Sequence, residues 1–278
     1  MKFNKLGKTK EKIPAIGMGT WKLKNTEDDV KALKLGLKLG MKFIDTAESY
    51  GTEETVGKAI KNEELFVATK VTPSHFRYKD VIKACNTSLK KLGIKTIDLY
   101  QLHWPNPLIP IQETMKAMEA LVEQGKIRYI GISNFTVKRT IAAQEALKKN
   151  EIVSNQVEYS PFVRDIEKNV LPFCQKEKIT VIAYSPFNRG HLFERNVEIK
   201  KVLEEVARKN KKSVAQVVLN WLVSKENVDA IPKAATIEHV KENSEAADFE
   251  LKKEDIKMID QTNSGFPFPS WRNLLENI

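Results

Sequence analysis

Four residues, Asp45, Tyr50, Lys70 and His103, are of types that could carry acid–base chemistry together. Asp45 ends the run Lys42-Phe43-Ile44, and Tyr50 follows it before Gly51. Lys70 ends Leu65-Phe66-Val67-Ala68-Thr69, and His103 ends Ile97-Asp98-Leu99-Tyr100-Gln101-Leu102. Singly, each has an ordinary explanation: a solvated lysine, a structural histidine hydrogen bond, a turn tyrosine. Together they make a functional set. A tyrosine titrating at about 10 is a poor acid at neutral pH. A lysine ammonium beside it favours the phenolate and lowers that pKa, while a carboxylate keeps the ammonium charged and in place. A neutral imidazole can offer an N–H to a carbonyl oxygen. The set suits protonation of an oxyanion as it forms, but it contains no reductant, so a hydride would have to come from a cofactor.

These side chains converge only if the strands that carry them run parallel and end on one face. Eight short apolar runs, at residues 16–20, 42–45, 65–70, 97–102, 127–132, 153–157, 179–184 and 229–232, alternate with amphipathic segments. Several are almost continuously apolar, as parallel strands covered on both faces are. Thr26 before Glu27, Asp28 and Asp29 marks a helix start and Gly40 its end; Gly125 stops a stripe of Met115, Met118, Leu121 and Val122, and Ser213 opens another helix. The alternation predicts an α/β chain folded as a (β/α)8 TIM barrel, with a doubly wound open sheet as the alternative. Residues 3–6 and 10–13 flank a Gly7-Lys8 turn and predict an N-terminal β-hairpin. Nothing splits the chain, so residues 1–278 are expected to form one barrel domain, with the Pro- and aromatic-rich C-terminal loop as a cover or lid over the active-site face.

With 41% hydrophobic residues the chain can bury a core, and no apolar run approaches the length of a membrane helix. A formal charge of +10 could serve an anionic partner, but the lysines are scattered, and only eight of the 46 basic residues are arginine. That is poor equipment for nucleic acid. Lys31, Lys34 and Lys38 decorate a helix whose inner face is Val30, Leu33 and Leu37. Cys85 and Cys174 form no zinc spacing or disulfide framework, and no apolar leader is visible. A cytoplasmic location with reduced thiols, no membrane partner and a monomeric state are expected.

The stretch Gly40-Met41-Lys42-Phe43-Ile44-Asp45-Thr46-Ala47-Glu48-Ser49-Tyr50-Gly51, followed by Glu53-Glu54 and Val56-Gly57, closely resembles the first signature of the aldo-keto reductases. Ile97 through His103, with Trp104-Pro105, is similar to that family's histidine strand. The stretch from Met118-Glu119-Ala120 to Gly131-Ile132-Ser133-Asn134-Phe135 matches its second signature, and Ile231-Pro232-Lys233 running to Glu242-Asn243 its third. The resemblance covers residues 3–265 in order and favours the closed barrel over the open sheet.

It implies reduction of an aldehyde or ketone by hydride transfer from a nicotinamide cofactor. Tyr50 matches the general acid, Lys70 the residue that lowers its pKa, Asp45 the partner of that lysine, and His103 the residue that orients the substrate carbonyl. Ser133, Asn134 and Gln156 match groups that bind the nicotinamide carboxamide. Tyr184 matches the aromatic stacked on that ring, and Ser185 and Phe187 lie in the pyrophosphate stretch. Gly19, Thr20 and Trp21 match contacts near the cofactor. Ile231, Lys233, Ala234, Thr236, His239, Glu242 and Asn243 fall in the nucleotide-binding third signature. Trp21 and Trp104, with Tyr50 and His103, line the substrate side, where Phe76 and Phe268 add to an apolar slot and the aromatics of 266–271 close it. Trp221 lies in a helical stripe and reads as core. Ala234 and His239 stand where NADPH-preferring relatives have serine and arginine, so NADPH is expected with NADH as a weaker second cofactor. Two other readings stand beside this one: a Schiff-base barrel with Lys70 as nucleophile, and a non-catalytic barrel that binds nucleotide as a sensor.

Overall fold

The computed structural model describes residues 1–188, 197–233 and 235–262. Ala234 and the tail aromatics at 266–271, Phe268 among them, lie outside the described residues. Two strands, β1 (Phe3–Lys5) and β2 (Lys12–Pro14), pair antiparallel as the expected hairpin. Eight more follow: β3 (Met18–Gly19), β4 (Phe43–Asp45), β5 (Phe66–Val71), β6 (Ile97–Leu102), β7 (Ile127–Ser133), β8 (Ile152–Glu158), β9 (Thr180–Tyr184) and β10 (Val228–Ile231). They are parallel and paired in chain order from β3 to β10. Bridges Ile16–Ala230 and Gly19–Lys233 join the two edges, and Gly19 N donates to Pro232 O at 2.8 Å. A Cβ at Gly19 would come within 2.8 Å of Ile231 O, so glycine permits this closure.

Helices α1 (Glu27–Lys38), α2 (Glu53–Ile60), α3 (Tyr78–Leu92), α4 (Ile111–Glu123), α5 (Val137–Glu145) and α6 (Val170–Glu177) each follow one strand, from β3 to β8. After β9 come α7 (Val197–Asn210) and α8 (Val214–Ser224), and after β10 come α9 (Ile237–Ser244) and α10 (Lys253–Asp260). Thr26 with Asp29, and Ser213 with Gln216, form capping boxes on α1 and α8. Met115, Met118 and Leu121 face inward from α4, and Trp221 is buried in α8 with its N–H on Asp260 Oδ1 at 2.8 Å. Among the described residues, no helix is long and apolar enough to cross a membrane.

The hairpin closes the amino-terminal end of the barrel. Leu6 and Ile13 are fully buried and pack with Phe43, Phe66, Leu99, Val153 and Ile182 from the barrel interior. Each such burial contributes about 1.5–3 kcal/mol. Gly7 N donates to Thr180 Oγ1 at 2.8 Å, and Arg128 joins Glu11 of the hairpin to Asp98 of β6. With that end plugged, the carboxyl ends of the strands, where barrel chemistry resides, are left to receive ligands.

Asp229 in β10 lies under this plug. It is fully buried; Oδ1 accepts from Asn4 Nδ2 at 2.7 Å, while Oδ2 has no hydrogen-bond partner among the described residues. Burial pushes its carboxyl up to about 8, against downward pulls from Asn4 and Lys2. The folded chain therefore holds a proton that the unfolded chain releases near 3.8. This contribution to stability is complete below that value, declines as pH rises, and is gone above about 8. Asp229→Asn keeps an oxygen for Asn4 and cannot ionise. Its melting temperature is expected to match the wild type at acid pH and to exceed it at alkaline pH, by a few kcal/mol of stability on the order expected for such a shift. Parallel melting curves across pH would contradict this.

Candidate active site

Inside the carboxyl end of the barrel, register sets the layer. Lys70 of β5 pairs with Gln101 of β6, so the two side chains leave the sheet on one side. Lys70 is fully buried, and its Nζ donates to Asp45 Oδ1 at 2.6 Å and to Thr46 O at 2.8 Å. Asp45, 2% exposed, accepts at Oδ2 from Gln156 Nε2 at 2.8 Å and from Gln101 Nε2 at 3.2 Å. Both carboxylate oxygens are thus engaged, as a buried ion pair requires.

Tyr50 ends a 3₁₀ turn, Glu48–Tyr50, that the left-handed Gly51 closes at φ +68°. Glu48 fastens the turn by accepting from the Thr72 N–H, and it pairs with His75. The turn sets the Tyr50 ring 4.9 Å from Lys70 Nζ and its hydroxyl 3.5 Å from His103 Nε2. Ser49 Oγ lies 3.3 Å from the other His103 ring nitrogen.

Burial is the largest influence on all three titrating groups. It pushes the Tyr50 phenol up; Lys70 pulls the other way, as its neighbourhood predicts, but does not outweigh burial. The expected net lowering of the tyrosine is therefore corrected: the hydroxyl keeps its proton. Burial acts downward on the Lys70 ammonium, and attraction to Asp45 and Tyr50 reverses it, so the net shift is upward. His103 falls to about 3 through burial and the nearby Lys70 charge, which leaves a neutral imidazole at physiological pH. A charged, inaccessible Lys70 is a poor amine nucleophile, which removes the footing of the Schiff-base alternative.

The carboxyl ends of β7, β8 and β9 bring up a second polar group. Asn134 follows β7 in the left-handed region at φ +64°, which asparagine tolerates. Its Nδ2 donates to His103 O at 3.1 Å and to Ser133 Oγ at 2.9 Å, and its Oδ1 accepts from Tyr184 OH at 3.0 Å. Ser133 Oγ donates to Gln156 O at 2.9 Å. Ser185 also takes a left-handed conformation, at φ +53°, directly after β9. On the far side, Lys233 and the start of α9 complete the wall, with Thr236 Oγ1 capping the helix by accepting from His239 N at 3.2 Å.

A cavity of about 780 Å³ connects these parts, a size suited to a cofactor with a small substrate. Its lining includes Gly19, Thr20, Trp21, Asp45, Tyr50, His103, Trp104, Ser133, Asn134, Gln156, Tyr184, Ser185, Phe187, Ile231, Lys233, Thr236, His239, Glu242 and Asn243. Of the expected site residues that the structure describes, all line it but two: Lys70, which lies behind Asp45 and Tyr50, and Phe76. Phe76 is 1% exposed within the outer core, so its place in the apolar slot is corrected: the turn after β5 folds its ring inward. Pro186, between Ser185 and Phe187 of the pyrophosphate stretch, also lines the cavity, as do Lys22, Ser49, Ala215 and Ala235, none of which carries a site role from sequence. For Lys22 and Ser49, position beside Trp21 and Tyr50 was the available signal; Ala215 carried none.

The model of the aldo/keto reductase family matches residues 15–264. The chain is 36% identical over 275 residues to methylglyoxal reductase YeaE of Escherichia coli, covering 96% of this chain and 95% of that one. The structure resembles that of the thermostable aldo-keto reductase Tm1743 in complex with the inhibitor epalrestat, with a TM-score of 0.89, 41% identity, and coverage of 95% of this chain and 100% of that one. An aldo-keto reductase from Klebsiella pneumoniae in complex with NADPH aligns with a TM-score of 0.84 and 36% identity, covering 90% of this chain and 91% of that one.

Proposed function

The chain belongs to the aldo/keto reductase family, and from that premise we propose that it reduces small aldehydes and ketones to alcohols with NADPH, with Tyr50 as general acid. The observation that carries the reading is the buried Lys70–Asp45 pair under a protonated Tyr50 that touches a neutral His103, at the base of one cavity. The donor set fits a nicotinamide dinucleotide. Asn134 and Gln156 supply amide oxygens beside the Tyr184 ring, while Lys233 and the amino-terminal turn of α9 supply positive charge for a phosphate. A bound dihydronicotinamide supplies the hydride for the carbonyl carbon.

The remaining steps belong to the protein. His103, neutral, offers an N–H to the substrate oxygen and orients it toward Tyr50. As negative charge develops on that oxygen, Tyr50 transfers its hydroxyl proton to it. The Lys70 ammonium, kept charged by Asp45, stabilises the phenolate until it regains a proton from solvent. Trp21 and Trp104 frame the substrate side of the cavity. The resemblance to a methylglyoxal reductase makes short 2-oxoaldehydes the first substrates to try. The test is NADPH oxidation followed by absorbance with a panel of carbonyls that includes methylglyoxal. Turnover is expected on at least one member; tight NADPH binding with no turnover on any would favour a nucleotide-binding sensor.

His239 is exposed at the start of α9, in a position where a guanidinium would hold a 2′-phosphate more firmly than imidazole. NADPH is expected to be preferred, with NADH used more weakly. His239→Arg should raise the ratio of kcat/KM for NADPH over NADH by about tenfold. A clear NADH preference in the wild type would refute this account of the nucleotide end.

A further inference from the structure

Gln101 has no part in the mechanism above, yet it is a fully buried amide in the carboxyl half of β6. Its Nε2 donates to Asp45 Oδ2 at 3.2 Å, and its Oε1 accepts from Gln156 Nε2 at 3.5 Å. Gln156 Nε2 donates to the same Asp45 oxygen at 2.8 Å. A carboxylate held against a lysine ammonium can only accept, so both glutamines must turn their nitrogens toward it. That sets which end of each amide faces Asp45, and leaves the rotation of Gln156 about its Asp45 bond to be held by Gln101. Both N–H bonds of Gln156 are then engaged, one by Asp45 and one by Gln101. Its Oε1 is what remains to offer the cavity, and an amide oxygen can only accept. Gly131 makes the arrangement possible: opposite Gln101 in register, a Cβ there would come within 2.8 Å of Gln101 Cγ.

We propose that Gln101 is a positioning residue that holds Gln156 as an acceptor for the N–H₂ of a nicotinamide carboxamide, and so selects that amide over a ring substituent without a donor. The inference rests on the nicotinamide reading of the site. With an apolar side chain at 101, one Gln156 N–H loses its partner. The Gln156 amide is then held by Asp45 alone, and rotation about that one bond and the soft terminal torsion can swing its Oε1 out of line with the carboxamide.

The test compares binding of NADP⁺ with that of its 3-acetylpyridine analogue, in which a methyl replaces the carboxamide NH₂, by quenching of tryptophan fluorescence. The wild type should favour NADP⁺ by about five- to tenfold, the value of one neutral hydrogen bond. Gln101→Met should lower that ratio to about twofold or less. Gln101→Glu provides the rescue. Protonated, its carboxyl can both donate to Asp45 and accept from Gln156; ionised, it repels Asp45. Discrimination should therefore return at about pH 6 and vanish at about pH 9 in this variant alone, burial and the Asp45 charge raising its pKa against the downward pull of the Lys70 ammonium on the neighbouring strand. A purely structural role would lower the melting temperature and both affinities together, and an unchanged ratio in folded Gln101→Met overturns the proposal. If the methionine variant does not fold, the pH dependence of Gln101→Glu decides, and a pH-independent ratio overturns the proposal equally. A wild type that binds neither nucleotide overturns the nicotinamide reading itself, an outcome distinct from binding both without discrimination.

Discussion

Tyr50→Phe is expected to lose carbonyl reduction by about a thousandfold while retaining NADPH binding. The substitution removes one oxygen from a ring whose other contacts are unaffected. The ring lies edge-on to His103 with centroids 5.4 Å apart, and Lys70 Nζ stays over its face. None of the groups assigned to the carboxamide bonds the Tyr50 hydroxyl, so the cofactor end should not register the change. What disappears is the proton that neutralises the developing alkoxide; His103 cannot replace it, because a neutral imidazole N–H is too weak an acid to give up its proton there. The same geometry gives the pH profile its sign. Tyr50 is the acid, active while protonated, and burial pushes its pKa up from 10, so this requirement is met at neutral pH and fails only as pH rises past the raised value. His103, at about 3, contributes no limb near neutrality. In the wild type kcat should be level from about pH 5 to about pH 10 and fall only above that. A variant that keeps more than about a tenth of wild-type kcat would remove Tyr50 from the role of acid.

Asp45, Lys70 and His103 were legible because an ionisable residue that ends an apolar run marks a strand end, and parallel topology gathers such ends on one face. The hairpin and the eight strands were legible for a related reason: turn residues and uninterrupted apolar runs leave few other places for the backbone to pair. The first strand is the least regular. The run at 16–20 contributes only Met18–Gly19 to the ladder, with Ile16 joined by a bridge, because the chain there must also close the barrel against β10. Gln101 escaped for a physical reason. A glutamine next to a leucine in a strand has the same pattern whether it faces water or the barrel interior, and only closure of the barrel removes the water. Asp229 escaped in the same way. Phe76 was misplaced because spacing locates a loop aromatic along the chain without saying which way the turn points it. The net shift of Tyr50 was beyond reach too: sequence neighbours identify Lys70, but burial, the larger influence, is a property of the assembled site.

Lys70→Met is expected to cost about 3–5 kcal/mol of stability and at least about a hundredfold in kcat. The two losses have different origins. At 0% and 2% exposure, Lys70 and Asp45 form a pair almost wholly withdrawn from solvent, so removing the cation strands a carboxylate with two amide donors among the described residues. The pair's contribution has a defined pH window. Lys70 is raised above 10.5, so its stabilisation is present below that value and is lost only as pH climbs through the folded pKa. Neutralising the stranded partner should therefore recover stability. In the double variant Lys70→Met with Asp45→Asn, the amide oxygen can still accept from Gln101 and Gln156, and most of the lost melting temperature should return. Activity should not return, because no cation remains beside Tyr50 to stabilise its phenolate as the proton leaves. Recovery of both together would mean that Lys70 acts only as a strut for the barrel. Recovery of neither would place the stability cost in the packing of the lysine chain and not in its charge. Stability restored without turnover is the outcome expected if the buried pair holds the acid ready for proton transfer.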